Sequence, residues 1–379
     1  MTRFHGPGSR LGIMGSGQLG RMLALEARRM GYLIHVFGPE ENSPAGQVAD
    51  VDTVAGYDNE SAVREFARGV DVLTFEFENI PRAAIEQAAG HCEVHPSPDV
   101  LHIAQNRIRE KEFLSRHGFP VAAWRVVSTP GELAAAAEAT GFPCVLKTAA
   151  FGYDGKGQRK ISSSHDLASA DPSGGPHVLE AWVPFEKEIS VVVARGADGA
   201  TAVFPLAENI HRAHILDCTV VPARIAADTA ARAGELAARI ADRLGLVGVM
   251  AVEMFLLADG TILVNELAPR PHNSGHFTLD ACVTSQFEQQ LRAVCGWPLG
   301  PTDLLRPCAM ANLLGDLWQD GEPRWAAAST RAKLHLYGKR DPRPGRKMGH
   351  LLSFGTSPGE ALETVQAARA ALSPGAPEL

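Results

Sequence analysis

Residues 247–276 read V-G-V-M-A-V-E-M-F-L-L-A-D-G-T-I-L-V-N-E-L-A-P-R-P-H-N-S-G-H. Two apolar runs, Val247 to Leu257 and Thr261 to Leu267, flank Asp259-Gly260, and such a pair of residues between apolar runs is the strongest short-range hairpin signal. With a two-residue turn Ala258 pairs with Thr261, and five steps outward Glu253 lies opposite Glu266, their Cβ atoms about 5 Å apart on one face. Facing carboxylates repel unless a cation stands between them. Magnesium is the natural occupant, because it takes a few carboxylates together with phosphate oxygens. The alternatives are a protonated or water-screened acid pair, or a bulge that breaks the pairing. Directly after Glu266, the polar run from Arg270 through His272 and Asn273 to His276 reads as a substrate loop beside the metal position.

Upstream, Lys147 ends a strand-like run and is followed by Gly152-Tyr153-Asp154-Gly155-Lys156-Gly157-Gln158. Glycines let a backbone approach phosphate oxygens closely, and two lysines add positive potential. The other reading is a surface hairpin with Asp-Gly turn chemistry. At the start of the chain, Gly15-Ser16-Gly17-Gln18-Leu19-Gly20 follows a strand and opens a helix, so its amides could cradle a phosphate. A dinucleotide site is the weaker form of that reading, because Phe37-Gly38 stands where a ribose-binding acid belongs. The bland form is a tight strand-to-helix turn. Near the end, Lys339 to Lys347 is a basic, proline-stiffened loop that suits a bound phosphate or a solvated surface. His211, His214 and Cys218 offer a poor zinc spacing.

The surrounding pattern supplies the frame. Strand-like runs Leu11 to Met14, Leu33 to Phe37, Val70 to Phe75 and Glu93 to His95 alternate with helical stretches such as Asn59 to Ala67 and Arg82 to Ala89, which implies a doubly wound parallel sheet. A charge-rich helix, Asn106 to His117, follows. Then come a strand (Trp124 to Val127), a helix (Pro130 to Thr140), a strand (Cys144 to Lys147) and the exposed connection Ser162 to Pro176. From Glu188 the chain is β-rich around an Ala-rich helix, Ala226 to Leu244, and a helix from Pro358 to Leu372 closes it. The domains expected are 1–110, 111–305 with a lid at about 118–183, and 306–379. At roughly 150 residues per domain, 379 residues agree with two to three.

Composition sets bounds. A net charge of −7 excludes non-specific nucleic-acid binding through a bulk basic field, but not a local anion site. No apolar run reaches the roughly 18 residues of a spanning helix. Six cysteines without a CxxC pair, and no apolar leader, lead to the expectation of a cytoplasmic protein with reduced thiols.

Taken together, Phe151 to Gln158, Asn265 to His276 and Pro342 to His350 resemble the ATP-grasp ligases. The similarity is greatest to the branch that carboxylates 5-aminoimidazole ribonucleotide in purine biosynthesis, and it covers nearly the whole chain. The resemblance implies an α/β ATP-grasp fold: an N-terminal doubly wound domain, a split central ATP-grasp domain and a small C-terminal domain. It implies ATP, magnesium and bicarbonate, with carboxyphosphate as intermediate, and commonly a homodimer. On that basis Arg107 and Lys147 reach the ATP phosphates and Gly152, Tyr153, Asp154, Gly155, Lys156, Gly157 and Gln158 form a lid. Glu180, Ala181, Trp182 and Val183 are the adenine-side linker, Glu188 the ribose ligand, and His211 and Asn265 further nucleotide contacts. Glu253 and Glu266 hold the metal. Tyr153, Asp154, Lys156, Arg270, His272 and Asn273 form the reacting end. Lys339, Arg346 and Lys347 grip the ribonucleotide phosphate, with Gly15, Ser16, Gly17, Gln18 and Glu76 lining that cleft. Two departures stand out: Ala268 where many ATP-grasp enzymes have Asn, and Lys156 where close relatives often have Arg, which loses a planar fork. The competing readings are a formate-dependent glycinamide ribonucleotide transformylase on the same scaffold, a nicotinamide-dependent dehydrogenase resting on Gly15 to Gly20 alone, and a non-catalytic nucleotide-binding regulator.

Overall fold

The computed structural model describes residues 3–150, 152, 157–172, 174–328 and 331–373. Tyr153, Asp154, Gly155 and Lys156, and with them most of the expected lid loop, lie outside the described residues.

The N-terminal sheet has five parallel strands in the order Val51–Val54, Leu33–Gly38, Arg10–Met14, Val72–Phe75, Glu93–Val94. Strand order reverses beside Arg10–Met14, so the carboxyl ends of Arg10–Met14 and Val72–Phe75 open a crevice where the Gly15 turn and Glu76 stand. The helix Gln18–Arg29 turns Met22, Leu23, Ala24 and Ala27 inward. There they share a core with Phe287, Leu291 and Val294 of the helix Gln286–Val294. A helix that follows the substrate loop therefore closes one face of the N-terminal sheet and fixes the crevice against that loop. The edge strand Val51–Val54 was not expected, because V-D-T-V buries almost nothing and gives no apolar run to read.

A small antiparallel sheet in the order Trp124–Val127, His177–Ala181, Cys144–Thr148, Gln158–Ile161 is covered by the helix Pro130–Thr140. That helix starts in a capping box of Thr129 and Glu132 and buries Leu133, Ala136 and Ala137.

The third sheet has nine strands. Eight run Ile262–Ala268, Gly248–Leu256, Lys187–Arg195, Ala207–Arg212, Ile215–Val221, Cys308–Leu314, Lys347–Phe354, Lys333–Leu336, and Thr201–Val203 adds beside Lys187–Arg195. The C-terminal strands thus continue the central sheet, with Cys218 opposite Ala311 and Val220 opposite Ala309. The apolar edge of Ile215–Val221 would otherwise stand unpaired. The helix Ala227–Arg243 packs Leu236, Ala237 and Ile240 against Val191, Val193 and Met250. The closing helix Pro358–Ala371 buries Ala361, Val365 and Ala368 against Cys308–Leu314 and its neighbours. No described helix is long and apolar enough to cross a membrane.

Candidate active site

The hairpin forms, but by a route other than the expected one. Gly260 takes φ +82°, Gly260 N donates to Leu257 O at 2.9 Å, and Leu257 N donates to Thr261 O at 2.9 Å. The connection is a three-residue turn closed by a left-handed glycine, so Leu256 pairs with Ile262 and Met254 with Val264. That register alone would put Asn265 opposite Glu253. A bulge intervenes after Met254, and Glu253 comes to face Glu266 after all. Two departures from the regular hairpin cancel. The bulge, expected only as the way the acid pair could fail, creates it, and it places two successive residues opposite Glu253.

Around this point the charges are dense. Arg107 starts the helix Arg107–Arg116, whose cap is the Asn106 side chain, and its guanidinium meets Glu266 at 2.9 Å. Lys147 Nζ lies 3.0 Å from Glu180 Oε2 and 3.3 Å from Asn265 Oδ1. Burial alone would raise the Glu180 carboxyl; Lys111, Lys147 and Arg107 outweigh it and hold that acid at about 2. Burial and the facing Glu266 push Glu253 well above the usual carboxylate range. An acid pair under this repulsion, with hard oxygen donors only, fits a divalent cation of the magnesium type. Glu188 and His211 stand 3.1 Å apart, and this contact prevails over burial in raising His211. His211 is thereby engaged with an acid, and no group of three His, Cys, Asp or Glu side chains that could hold a metal ion occurs among the described residues.

The substrate loop reaches the same place. His272 Nε2 is 3.3 Å from Glu253 Oε1, while Nδ1 lies 2.9 Å from Ser274 Oγ. Burial, together with Arg270, Lys347 and His211, keeps this imidazole neutral. Arg270 forks onto Glu78, with NH2 2.8 Å from Oε1 and Nε on Oε2. Glu78 gave no signal in the sequence; it is found only because the parallel sheet delivers it there. Asn273, expected at the reacting end, spends its amide otherwise. It exchanges hydrogen bonds of 3.0 and 2.7 Å with Asn312, 6% and 1% exposed respectively, which ties the loop to the strand Cys308–Leu314. In this structure its amide anchors the loop. Glu78, Arg107, Gly152 and Glu266 line one cleft.

The glycine turn needs a larger correction. Glu76 accepts from Gly17 N and, at 2.7 Å, from Gly20 N. The amides expected to cradle a phosphate already hold a carboxylate of their own chain, which removes the basis for a dinucleotide site. Glu76 and Gln18 still border the crevice: Lys339 Nζ donates to Gln18 Oε1 and, at 2.7 Å, to Lys347 O. Arg346 donates to Asp341 O at 3.1 Å and stands half-buried in the same loop. Ser16 is buried, its carbonyl accepting from Ala45 N at 2.9 Å. Gly15 sits at φ +100°, with no room for a Cβ against the Glu76 side chain. Gly15→Ala is accordingly expected to cost about 2 kcal/mol or more of stability in a denaturant titration; an unchanged midpoint would refute the tight-turn account. On the linker, Ala181 N bonds Ala123 O at 2.8 Å and Trp182 N bonds Pro143 O at 3.1 Å. Trp182 is 40% exposed, with Lys160 Nζ 3.9 Å above its ring, and Val183 follows it in the chain.

A parallel sheet feeding a crevice, a small lysine-bearing sheet and an acid-bearing hairpin that close on each other define an ATP-grasp enzyme. The ATP-grasp domain family matches residues 112–287, flanked by the ribonucleotide synthetase preATP-grasp domain at 9–105 and the phosphoribosylaminoimidazole carboxylase C-terminal domain at 308–364. The N5-carboxyaminoimidazole ribonucleotide synthase of Bacillus subtilis is 48% identical over 91% of this chain and 91% of its own. A crystal structure of an ADP complex of N5-carboxyaminoimidazole ribonucleotide synthetase superposes with a TM-score of 0.93 at 46% identity, covering 97% of this chain and 98% of that one. The Aspergillus clavatus N5-carboxyaminoimidazole synthase, solved with ADP and 5-aminoimidazole ribonucleotide, gives 0.88 at 32% identity, covering 96% and 98%. The chain belongs to the N5-carboxyaminoimidazole ribonucleotide synthase family. It is an ATP-using ligase of the ATP-grasp class, acting in purine biosynthesis by the ATP-dependent carboxylation for which the family is named.

Proposed function

We propose that this chain activates bicarbonate with ATP and transfers the carboxyl group to the 5-amino nitrogen of 5-aminoimidazole ribonucleotide. A bicarbonate oxygen attacks the γ-phosphorus, forming carboxyphosphate and releasing ADP. The amine nitrogen then bonds to the carboxyl carbon, the bond from that carbon to the phosphate oxygen breaks, and the amine gives up a proton. The observation that carries this reading is the two-ended cleft. Lys147, Arg107, Glu180 and Asn265 gather at one end, and Lys339, Lys347 and Gln18 at the other, with Arg270, His272 and the Glu253–Glu266 pair between them.

In this reading Arg107 and Lys147 neutralise the ATP phosphates, and Glu180 to Val183 and Glu188 with His211 face the adenine and ribose. Glu253 and Glu266 hold magnesium, which supplies charge neutralisation for the transferring phosphoryl group. Neutral His272 can donate from Nε2 to Glu253 and so orient that acid, while Arg270 keeps its charge against Glu78. Lys339, Arg346 and Lys347 take the ribonucleotide phosphate. Carboxyphosphate is labile in water, so a lid from Gly152 to Gln158 that excludes water has a clear purpose. We also propose a cytoplasmic homodimer, organised as 1–110, 111–305 and 306–379.

A substrate-omission assay tests the reading. ADP release is expected to require bicarbonate and the ribonucleotide together, and to fall to background when either is dropped. Equal release without bicarbonate, or restoration by formate and glycinamide ribonucleotide, would overturn it.

A further inference from the structure

The bulge that makes the acid pair is held from outside the hairpin. Ile262–Ala268 is an edge strand of its sheet, so the outward backbone groups around Asn265 need partners from elsewhere. They find them on one face of the helix Arg107–Arg116, at positions i, i+3 and i+4. Arg107 meets the Glu266 carboxylate. Glu110 Oε2 accepts from Leu267 N at 2.8 Å. Lys111 Nζ donates to Asn265 O at 3.1 Å and lies 3.5 Å from Glu180 Oε1. Three side chains thus seize three successive residues, 265, 266 and 267, at the irregular point of the strand.

Glu110 and Lys111 are 1% and 0% exposed, and the reaction as described uses neither. Burying two ionisable groups is costly, and a helix needing only to pack would present apolar residues here, as it does at Leu114. Apart from the Lys111–Glu180 ion pair, their bonds go to backbone atoms of the bulged strand, so what they fix there is its path.

We infer that Glu110 and Lys111 are positioning residues that lock the bulge, and thereby set Glu266 against Glu253 and Asn265 against Lys147. The inference rests on the metal role given above to the acid pair. Without the lock, the strand can relax toward the regular register of Leu256–Ile262, which would put Asn265, not Glu266, opposite Glu253. The cation site would then lose an acid although both acids remain in the chain.

The test is calorimetric titration of ADP into the full-length protein with and without Mg²⁺, alongside Mn²⁺ binding followed by electron paramagnetic resonance. In wild type the metal is expected to tighten ADP binding. Glu110→Ala is expected to weaken Mn²⁺ binding about 10–100-fold and to remove most of the Mg²⁺ enhancement, with KM for the ribonucleotide unchanged. Glu110→Gln keeps an oxygen for Leu267 N and should stay near wild type. If Glu110→Ala does not fold, Lys111→Gln, which shortens the reach to Asn265 O, carries the same expectation of lost metal coupling. Wild-type coupling in the folded Ala variant, or equal losses in Ala and Gln, would overturn the lock. Absence of any Mg²⁺ effect in wild type would instead overturn the metal reading itself.

Discussion

Glu266→Gln is expected to lower the rate of ADP formation about a thousandfold, roughly 4 kcal/mol of transition-state stabilisation, in a protein that stays folded. The amide fills the same volume and still offers Arg107 an oxygen in place of the carboxylate now 2.9 Å away. What disappears is a charge. Glu253, raised by burial and by Glu266, and Glu110, raised by the same two causes, are both relieved. Against that relief stands the loss of the counter-charge that Glu266 gives buried Arg107, so the two effects oppose each other and the thermal midpoint should move little. Activity falls while stability moves little, which separates a metal ligand from a structural acid. A coupled ADP assay at saturating substrates, with a melting curve on the same preparation, makes the comparison. Wild-type turnover would refute the metal role, and so would a loss of activity matched by unfolding.

The hairpin shows how much of this site could be read in advance. Two apolar runs about Asp259-Gly260 placed Glu253 opposite Glu266 from pairing arithmetic alone, and the pair stands. Yet the turn has one residue more than expected, and the strand compensates with a bulge at Asn265. Neither can be seen locally, because the bulge depends on Glu110 and Lys111, more than 150 positions away in the chain. Those two were legible only as part of a charge-rich helix, for which a solvated face is the ordinary expectation. The parallel sheet was read from alternating runs, while its partly exposed edge strand Val51–Val54 was not.

Where sequence reasoning assigned a partner, it could assign the wrong one. Glycines 15, 17 and 20 were read correctly as a turn that brings amides together, but the anion that the Gly17 and Gly20 amides hold is Glu76, which follows the neighbouring parallel strand, while Gly15 N donates to Phe37 O. Asn273 stands in the substrate loop as read, but Asn312 answers both ends of its amide. In each case the residue type announced an appetite for hydrogen bonds, and tertiary packing decided what satisfied it.

Arg270→Lys is expected to lower kcat for ADP formation about a hundredfold while preserving the fold. The guanidinium has five N–H donors. Nε and NH2 bind the two Glu78 oxygens, and NH1 binds Pro271 O at 3.1 Å. One N–H on each terminal nitrogen is left to meet a ligand, in a plane fixed by the fork. A lysine keeps the positive charge that Glu78 requires, so the buried pair survives, but an ammonium that satisfies Glu78 has no second, rigidly aimed donor. Arg270→Ala is the contrasting variant. It leaves part-buried Glu78 without its paired cation, and the loss of stability should be about 1–3 kcal/mol. Lysine should therefore separate catalysis from stability where alanine damages both. Single-turnover ADP formation, measured beside guanidinium unfolding for the two variants, gives the answer. Should the lysine variant keep more than half of the wild-type rate, the fork onto Glu78 would be structural only, and the positive charge alone would account for what Arg270 does in the cleft.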